Sequence, residues 1–227
     1  KDALVVLEDA DLEAASDFAV HNSFRNSGQV CVSTERIYVH DSVADEFESL
    51  VIAKTEKFKQ GDPTDESVLI GPMVNSTQRD MVLEQLAQAI KDGASVRCGG
   101  NTHDNFIEPT VLTGCNHDMR IMHDETFGPI CCIQRISDDD EAVQLANDTP
   151  YGLGGAVYGE VDHAVQVARR MTTGMIGINK ACGGAQGTPW VGARQSGYGY
   201  HSGRDGHRQF TQVRLVSMPN QTVEPAY

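Results

Sequence analysis

The stretch Phe24–Arg36, FRNSGQVCVSTER, places a cysteine, Cys31, after a short run of turn-forming residues. Asn26 and Gly28 break the helical pattern that precedes them, and Gly28 also lets the backbone approach another group closely. Gln29 is polar, so Cys31 need not lie in a sealed apolar core. The stretch therefore predicts a thiol presented at a turn, beside backbone N–H groups that can stabilise a thiolate or an oxyanion.

From its chemistry alone, Cys31 is a candidate nucleophile, metal ligand or core residue. No histidine–cysteine pair stands at ligand spacing nearby, so we expect no metal site, and the position after a glycine turn favours the nucleophile. A cysteine hydrolase would also need a histidine placed against the sulfur in space. The sequence leaves that question open, because none of the eight histidines has an obvious role as a base.

The composition describes an acidic chain with enough residues for one sizeable domain. It has 227 residues, 40% of them hydrophobic, and a formal net charge of −14. The acidic balance argues against nucleic acid and anionic membranes as partners. We expect no spanning helix and no signal peptide. The six cysteines form no CxxC pair and suit no ordinary disulfide framework, which predicts a reducing, cytoplasmic compartment.

Strand and helix patterns alternate along the chain. Alternating or apolar runs at 4–7, 36–40, 128–136, 154–159 and 175–179 indicate strands. Amphipathic segments indicate helices that begin at Asp11, after an N-cap at Ser42, and after an N-cap at Ser76 as far as Lys91. This order predicts an α/β fold with a mainly parallel, doubly wound sheet and helices on both faces. We expect functional loops at the carboxyl ends of the strands. Pro109 marks its segment as extended or as an edge strand.

The last part of the chain changes in composition. Residues 181–206 are rich in glycine and poor in aliphatic side chains, which predicts a long loop, and long loops in compact domains are usually functional or disordered. Residues 209–218, QFTQVRLVSM, resume the alternation of a strand. We expect residues 220–227, NQTVEPAY, to be frayed.

Four stretches together resemble the aldehyde dehydrogenase superfamily. The spacing F-x-N-x-G-Q-x-C at residues 24–31 is similar to the nucleophile motif of that family, and HDETFGPI at 123–130 is similar to its E-x-F-G-P motif. Residues 147–158 and 188–206 resemble two later family segments in the same order. The last segment departs from the family pattern, with Trp190 in place of Phe and four residues inserted before Arg204. These departures concern the substrate class and not the family.

The resemblance implies a reaction and a set of roles. Cys31 would attack an aldehyde carbonyl to give a thiohemiacetal and, after oxidation, a thioester that yields a carboxylic acid. NAD or NADP would be the cofactor, with Glu125 at the nicotinamide ribose and Phe127 beside the nicotinamide ring. The remaining implied site residues are the substrate-pocket side chains Val30, Val32 and Trp190, and the structural residues Asn26 and Asn179. The implied partners are a small aldehyde and further copies of the same protein.

The resemblance covers nearly the whole chain but only the C-terminal half of the family. The family's cofactor domain and its E-L-G-G-K motif, whose Glu is the general base, would precede Lys1 or end on it. We therefore expect a catalytic cysteine domain over 1–206, with an active-site loop over 181–206. An oligomerisation-type strand and tail would follow over 207–227. We expect no appreciable dehydrogenase activity from these residues alone.

Two alternatives belong to other functional classes. The chain would act as a cysteine acyl-transferase or hydrolase in its own right if a histidine stood at hydrogen-bonding distance from Cys31. It would be a non-catalytic structural domain if it had descended from the family without its chemistry. The presence of Cys31, Glu125 and Phe127 together argues against the second alternative.

Overall fold

A seven-stranded sheet forms the centre of the computed structural model, which describes residues 1–183 and 186–219. Its spatial order is β3-β6-β7-β2-β1-β8-β9. Two short two-stranded ribbons accompany it. In chain order the strands are β1 (Asp2–Val6), β2 (Thr34–His40), β3 (Ser95–Cys98), β4 (Thr102–His103), β5 (Phe106–Ile107), β6 (Thr110–Thr113), β7 (Ile130–Ile136), β8 (Gly155–Tyr158), β9 (Gly177–Ile178), β10 (Trp190–Val191) and β11 (Tyr200–His201).

The pairing of the large sheet is parallel except at one edge. β2 pairs with β7 on one side and with β1 on the other, and β1, β8 and β9 continue in parallel. Only β3, at the edge beside β6, runs antiparallel. The predicted α/β class with a mainly parallel sheet is confirmed.

Helices cover both faces of the sheet, because alternate strand residues bury their side chains on opposite sides. Leu4 and Val6 of β1 pack with the first two helices, whereas Ala3 and Val5 pack with later helices. The helices are α1 (Leu12–Phe24), α2 (Asp41–Thr55), α3 (Ser76–Lys91), α4 (Arg120–His123), α5 (Asp139–Asn147), α6 (Val161–Ala168) and α7 (Gly203–Arg208). The predicted doubly wound arrangement is therefore also confirmed. None of the helices in residues 1–183 and 186–219 is long and apolar enough to cross a membrane.

The helix starts differ from the sequence prediction at two of three positions. Asp11 caps α1 as expected, since its side chain accepts from the Ala14 N–H at 3.1 Å. The cap of α3 is Asn75 and not Ser76, and the cap of α2 is His40 and not Ser42. In both helices the preceding residue is extended and carries an acceptor that reaches the first free N–H groups, so the predicted cap already lies in the first turn.

Of two predictions about strands, one held in part and one was wrong. The segment after Pro109 is extended, as predicted, and forms β6, but β6 is not an edge strand, because β3 pairs along its outer side. Proline is tolerated there because it precedes the first paired residue. The predicted strand at 209–218 is absent, since residues 212–218 pair with no strand and Val213 and Leu215 are about 90% exposed. Apolar alternation alone makes no strand without a neighbouring edge to supply hydrogen bonds. The prediction for residues 220–227 lies outside the described residues.

A single arginine, Arg36 on β2, joins the sheet to a helix end. Its guanidinium donates to the carbonyls of Lys1 at 3.0 Å, Leu145 at 3.0 Å and Ala146 at 3.1 Å, and also to the Tyr38 hydroxyl. Two of these carbonyls belong to the last turn of α5, where the helix leaves acceptors without internal partners. Arg36 is 1% exposed, so water cannot replace these bonds.

We expect the substitution Arg36→Met to lower the free energy of unfolding by about 3–5 kcal/mol, because it removes the charged donor that binds three carbonyls at a buried position. Urea denaturation followed by circular dichroism measures this. Arg170→Met removes an exposed ion pair to Asp140 and serves as the control, with an expected loss below about 1 kcal/mol. Equal losses from the two variants would contradict the role given to Arg36.

A histidine on α6 holds two loops together. His163 contacts a carboxylate through each ring nitrogen, Asp9 at 2.7 Å through Nδ1 and Asp139 at 2.8 Å through Nε2. These two hydrogen bonds raise the pKa of His163 to about 9. Asp9 follows β1 and Asp139 begins α5, so the protonated ring on α6 connects its helix to two other parts of the chain.

The stabilisation by His163 should depend on pH. Because the folded pKa of about 9 lies above the unfolded value near 6.5, the contribution is complete below about pH 6.5 and is lost as the pH rises through about 9. We expect His163→Gln to lower Tm by about 2–4 °C at pH 6 and by much less at pH 9.5. Thermal denaturation of both proteins across this range measures the difference. His103→Gln, at an exposed histidine beside Asp104, should show no such trend.

Candidate active site

The predicted nucleophile and cofactor residues lie side by side at one edge of the sheet. Cys31 lies in the turn that precedes β2, and Glu125 and Phe127 lie in the turn that precedes β7. β2 and β7 are parallel neighbours, so their amino ends meet at the same edge. These candidate residues therefore lie at the amino ends of the strands, whereas the sequence predicted functional loops at the carboxyl ends. In this chain the segments that lead into the strands, and not those that leave them, carry the candidate side chains.

The turn that presents Cys31 has an unusual backbone. After α1, Asn26, Ser27 and Gly28 have φ values of 51°, 58° and 70°, three successive residues in the left-handed region. Side-chain bonds hold this conformation: the Ser27 hydroxyl donates to the Gly71 carbonyl at 2.7 Å, and Asn26 Nδ2 donates to the Gln29 carbonyl at 3.0 Å. Asn26 is therefore a structural residue of the Cys31 turn, which is the place that the sequence predicted for it.

Gly28 brings the two turns into direct backbone contact. A Cβ atom at this position would lie 2.1 Å from the Gly128 carbonyl oxygen, a separation that no side chain tolerates. The positive φ of Gly28 adds a second reason for glycine. The Cys31 turn therefore packs directly on the Phe127–Gly128 turn.

The Cys31 thiol is open to solvent. Of the six cysteines, all free and all within the described residues, Cys31 alone is exposed. Burial raises the pKa of Cys98 and of Cys182. The backbone N–H of Cys31 has no hydrogen-bond partner among residues 1–183 and 186–219, so it is free to bind an incoming oxygen. In the same part of the chain no histidine hydrogen-bonds to Cys31, which leaves the cysteine-hydrolase alternative without its base.

A cavity of about 530 Å³ lies on one side of the Cys31 turn. Gln78, on α3, lines this cavity and donates to the carbonyls of Thr126 at 3.0 Å and Phe127 at 3.2 Å. Phe127 itself is half-buried and has φ 45°. The lining residues are Asn26, Gln29, Pro72, Val74, Gln78 and Phe127. Gln78 thus shapes this cavity by holding the Phe127 turn.

The Glu125 side chain stands next to this turn and is 38% exposed. Its carboxylate accepts no hydrogen bond from the described residues, and one oxygen lies 4.0 Å from the backbone nitrogen of Lys1. An open carboxylate beside an aromatic ring fits the ribose hydroxyls and nicotinamide ring of a dinucleotide. The residues present therefore fit the cofactor that the sequence predicted.

A second cavity, of about 220 Å³, lies beside the residue that follows Cys31. Of the three side chains predicted for a substrate pocket, Val32 and Trp190 line this cavity, whereas half-buried Val30 is not among its lining residues. The Trp190 ring stacks on His201 across the β10–β11 ribbon, with centroids 6.4 Å apart. Residues that sequence reasoning missed complete the lining: Asp2, Ala3, Phe18, Asn22, Arg25, Thr34, Gly155, Ala156, Ala181 and Cys182.

Charged groups in this second cavity come from two elements. Asp2 is 5% exposed and accepts from the Gly154 N–H at 3.1 Å, and its burial raises its pKa to about 6. Arg25 is exposed, and its guanidinium forms no ion pair within the described residues. Arg25 directly follows α1 and lies within the motif around Cys31. Its position in that motif is the sequence signal that could have identified it as a cavity residue.

Asn179 lies elsewhere. It ends β9, and its amide bonds both backbone groups of Gly159, accepting from the N–H at 3.0 Å and donating to the carbonyl at 2.8 Å. The expectation that it holds backbone agrees with these bonds. Gly159 follows β8, however, so Asn179 stands at the carboxyl edge of the sheet and not next to Cys31. The parallel pairing of β8 with β9 separates it from the site.

Comparison with known proteins identifies the family. The model of the aldehyde dehydrogenase family matches residues 1–216. The chain belongs to this family. Curated relatives include a benzaldehyde dehydrogenase of Bacillus subtilis, YfmT, 39% identical over 96% of the chain. They also include an NADP-dependent succinate-semialdehyde dehydrogenase of Deinococcus radiodurans, 38% identical over 95% of it. In each case the match covers 46% of the relative.

Solved structures of the family have the same fold. An NAD-dependent aldehyde dehydrogenase from Sinorhizobium meliloti matches 99% of the chain with a TM-score of 0.93 and 31% identity. A betaine aldehyde dehydrogenase from Staphylococcus aureus in complex with NAD+ matches 97% with a TM-score of 0.88 and 32% identity. The chain covers 46% and 47% of these two proteins. It thus spans about half the length of the aldehyde dehydrogenases that it resembles.

We expect iodoacetamide to alkylate Cys31 at least about tenfold faster than any other cysteine, because it alone is exposed. Mass-spectrometric mapping after brief treatment measures the six rates. Cys31→Ser should abolish the fast phase, whereas Cys98→Ser should leave it intact. Uniform labelling of all six cysteines would contradict the geometry described above.

Proposed function

We propose that this chain supplies the catalytic cysteine of an NAD- or NADP-dependent aldehyde dehydrogenase that oxidises an aldehyde to a carboxylic acid. The observation that carries the proposal is that residues on either side of Cys31 in the sequence line two different cavities. Gln29, two residues before it, lines the cavity that Phe127 enters, and Val32, one residue after it, lines the cavity that Trp190 enters. One cavity fits the nicotinamide end of a cofactor and the other fits an aldehyde.

Cys31 would begin the reaction as a nucleophile. Its thiolate attacks the carbonyl carbon, a carbon–sulfur bond forms, and the carbonyl π electrons move to the oxygen. The free N–H of Cys31 can donate to that oxygen, which carries the new negative charge. The exposed sulfur and the unpartnered N–H belong to the same residue, so one turn provides both groups.

Glu125 and Phe127 would hold the cofactor on the other side of the sulfur. The carboxylate of Glu125 can accept from two ribose hydroxyls, and the Phe127 ring offers an apolar face to the nicotinamide. When bound, the nicotinamide cofactor would supply the two-electron oxidant for the carbon attached to sulfur. Water then attacks the resulting thioester, the carbon–sulfur bond breaks, and the thiol of Cys31 is regenerated with release of the acid.

The names of the relatives support an aldehyde substrate without selecting one. They include benzaldehyde, betaine aldehyde and succinate-semialdehyde dehydrogenases. Trp190 gives this chain a flat aromatic wall that suits an aromatic or unsaturated aldehyde. The proposal includes a homo-oligomeric state and a cytoplasmic location. It also includes a catalytic domain over 1–206 and an oligomerisation-type tail over 207–227.

In the complete polypeptide that carries these residues, we expect Cys31→Ser to lower kcat for aldehyde-dependent NAD(P)H formation by about 10³-fold or more. Absorbance at the reduced nicotinamide band measures the rate. Cys98→Ser, at a half-buried thiol on β3, should leave the rate unchanged. The 227 residues by themselves should give no such reaction. A Cys31→Ser enzyme that keeps its full rate would refute the assignment.

A further inference from the structure

A buried carboxylate, Glu35, lies at the junction of the two turns that form the site. It stands on β2, four residues after Cys31, and is 3% exposed. Its Oε1 atom accepts from the backbone N–H groups of Thr126 at 3.1 Å and Phe127 at 2.7 Å. Its Oε2 atom lies 3.1 Å from Lys1 Nζ. One side chain therefore connects the strand of the nucleophile to the turn of the cofactor residues.

The surrounding groups complete this network. Lys1 Nζ also donates to the Thr126 hydroxyl at 3.1 Å, and that hydroxyl donates to Gln85 Oε1 at 2.9 Å. The Lys1 side chain is fully buried, so the two opposite charges compensate each other without water. Although burial alone would raise the pKa of Glu35, the Lys1 ammonium and the Phe127 N–H hold it below its ordinary value.

The Phe127 turn needs such support. Phe127 has φ 45°, a left-handed conformation that is unfavourable for a bulky side chain and persists only where neighbouring groups impose it. Two consecutive N–H groups, those of Thr126 and Phe127, point at one oxygen, and only an acceptor at that position satisfies both. Gln78 holds the carbonyls of the same two residues from the other side.

We propose that Glu35 is a positioning residue that fixes the Phe127 ring relative to Cys31 and so sets the affinity for the nicotinamide cofactor. It touches neither cavity, and it acts through the backbone of residues 126 and 127. Lys1 is the counter-charge that keeps Glu35 ionised. This inference rests on the proposed function for its link to the cofactor, but the structural link between Glu35 and Phe127 stands apart from it.

The substitution Glu35→Gln tests the proposal in the complete polypeptide. If the amide oxygen keeps the two N–H bonds, the amide NH₂ must face the Lys1 ammonium, so donors oppose each other and the network fails. We expect hydrogen exchange at the Thr126 and Phe127 amides to accelerate about tenfold and Kd for NADH or NADPH to rise about tenfold. The rate of Cys31 alkylation without cofactor should change less than about twofold, since the Cys31 turn has its own bonds.

Two further variants separate positioning from general loss of stability. Glu48→Gln alters a second buried carboxylate, on α2 and bonded to Arg135, and should leave cofactor affinity and Phe127 exchange unchanged. The double variant Lys1→Met with Glu35→Gln removes both charges and should recover part of the amide protection, because no ammonium then faces the amide NH₂.

The outcomes decide the proposal in each case. Unchanged exchange at Phe127 and unchanged cofactor affinity in Glu35→Gln would overturn it. Equal effects of Glu35→Gln and Glu48→Gln, or a parallel loss of Cys31 reactivity, would reduce Glu35 to a general contribution to stability and would also overturn it. If the unaltered protein binds no nicotinamide cofactor, the proposed function fails, while accelerated exchange at Phe127 in Glu35→Gln still establishes the positioning role.

Discussion

The parallel pairing of β2 with β7 determines where the parts of the candidate site can lie. The two strands are neighbours at the centre of the sheet, and their common direction places the turn before each strand at the same edge. One turn carries Cys31 and the other carries Phe127. Gly28 then lets the two backbones touch, because any side chain there would occupy the position of the Gly128 carbonyl. The backbone geometry thus fixes the separation of the Cys31 turn from the Phe127 turn, whatever side chains the two turns carry.

This arrangement buries two charged side chains of β2. Glu35 and Arg36 are consecutive on β2, so their side chains point to opposite sides, and both are almost fully buried. Arg36 binds carbonyls of α5 and β1, whereas Glu35 binds N–H groups of the Phe127 turn. Isolated charges in such places would be strongly destabilising, but each of these meets groups that need its sign. Neighbouring residues of one strand thereby join the sheet to a helix end and to the cofactor turn.

Sequence reasoning predicted the elements better than their relations. Apolar runs mark β1 and β7, and a helical pattern marks α1, because each of these signals is local. The motif around Cys31 likewise lies within eight residues. Local patterns do not predict which edge of the sheet carries the candidate site, because that edge depends on which strands become neighbours. Glu35 was missed because its partners, Lys1 and the Phe127 turn, are 34 and 92 residues away in sequence. The caps at His40 and Asn75 were missed by one or two residues, since adjacent polar side chains compete for the same N–H groups.

The two walls of the site differ in how firmly the fold holds them. The side formed by the Phe127 turn rests on strands β2 and β7 and on a network of buried bonds. The side formed by Trp190 rests on the two-residue strands β10 and β11 and on one stacking contact with His201. Residues beyond that ribbon are largely exposed. Changes in the Trp190 segment therefore cost little stability, whereas changes at Gly28 or Arg36 disturb the sheet itself. Under the proposed function, a fold built in this way can alter its choice of aldehyde while the distance between Cys31 and the Phe127 turn stays constant.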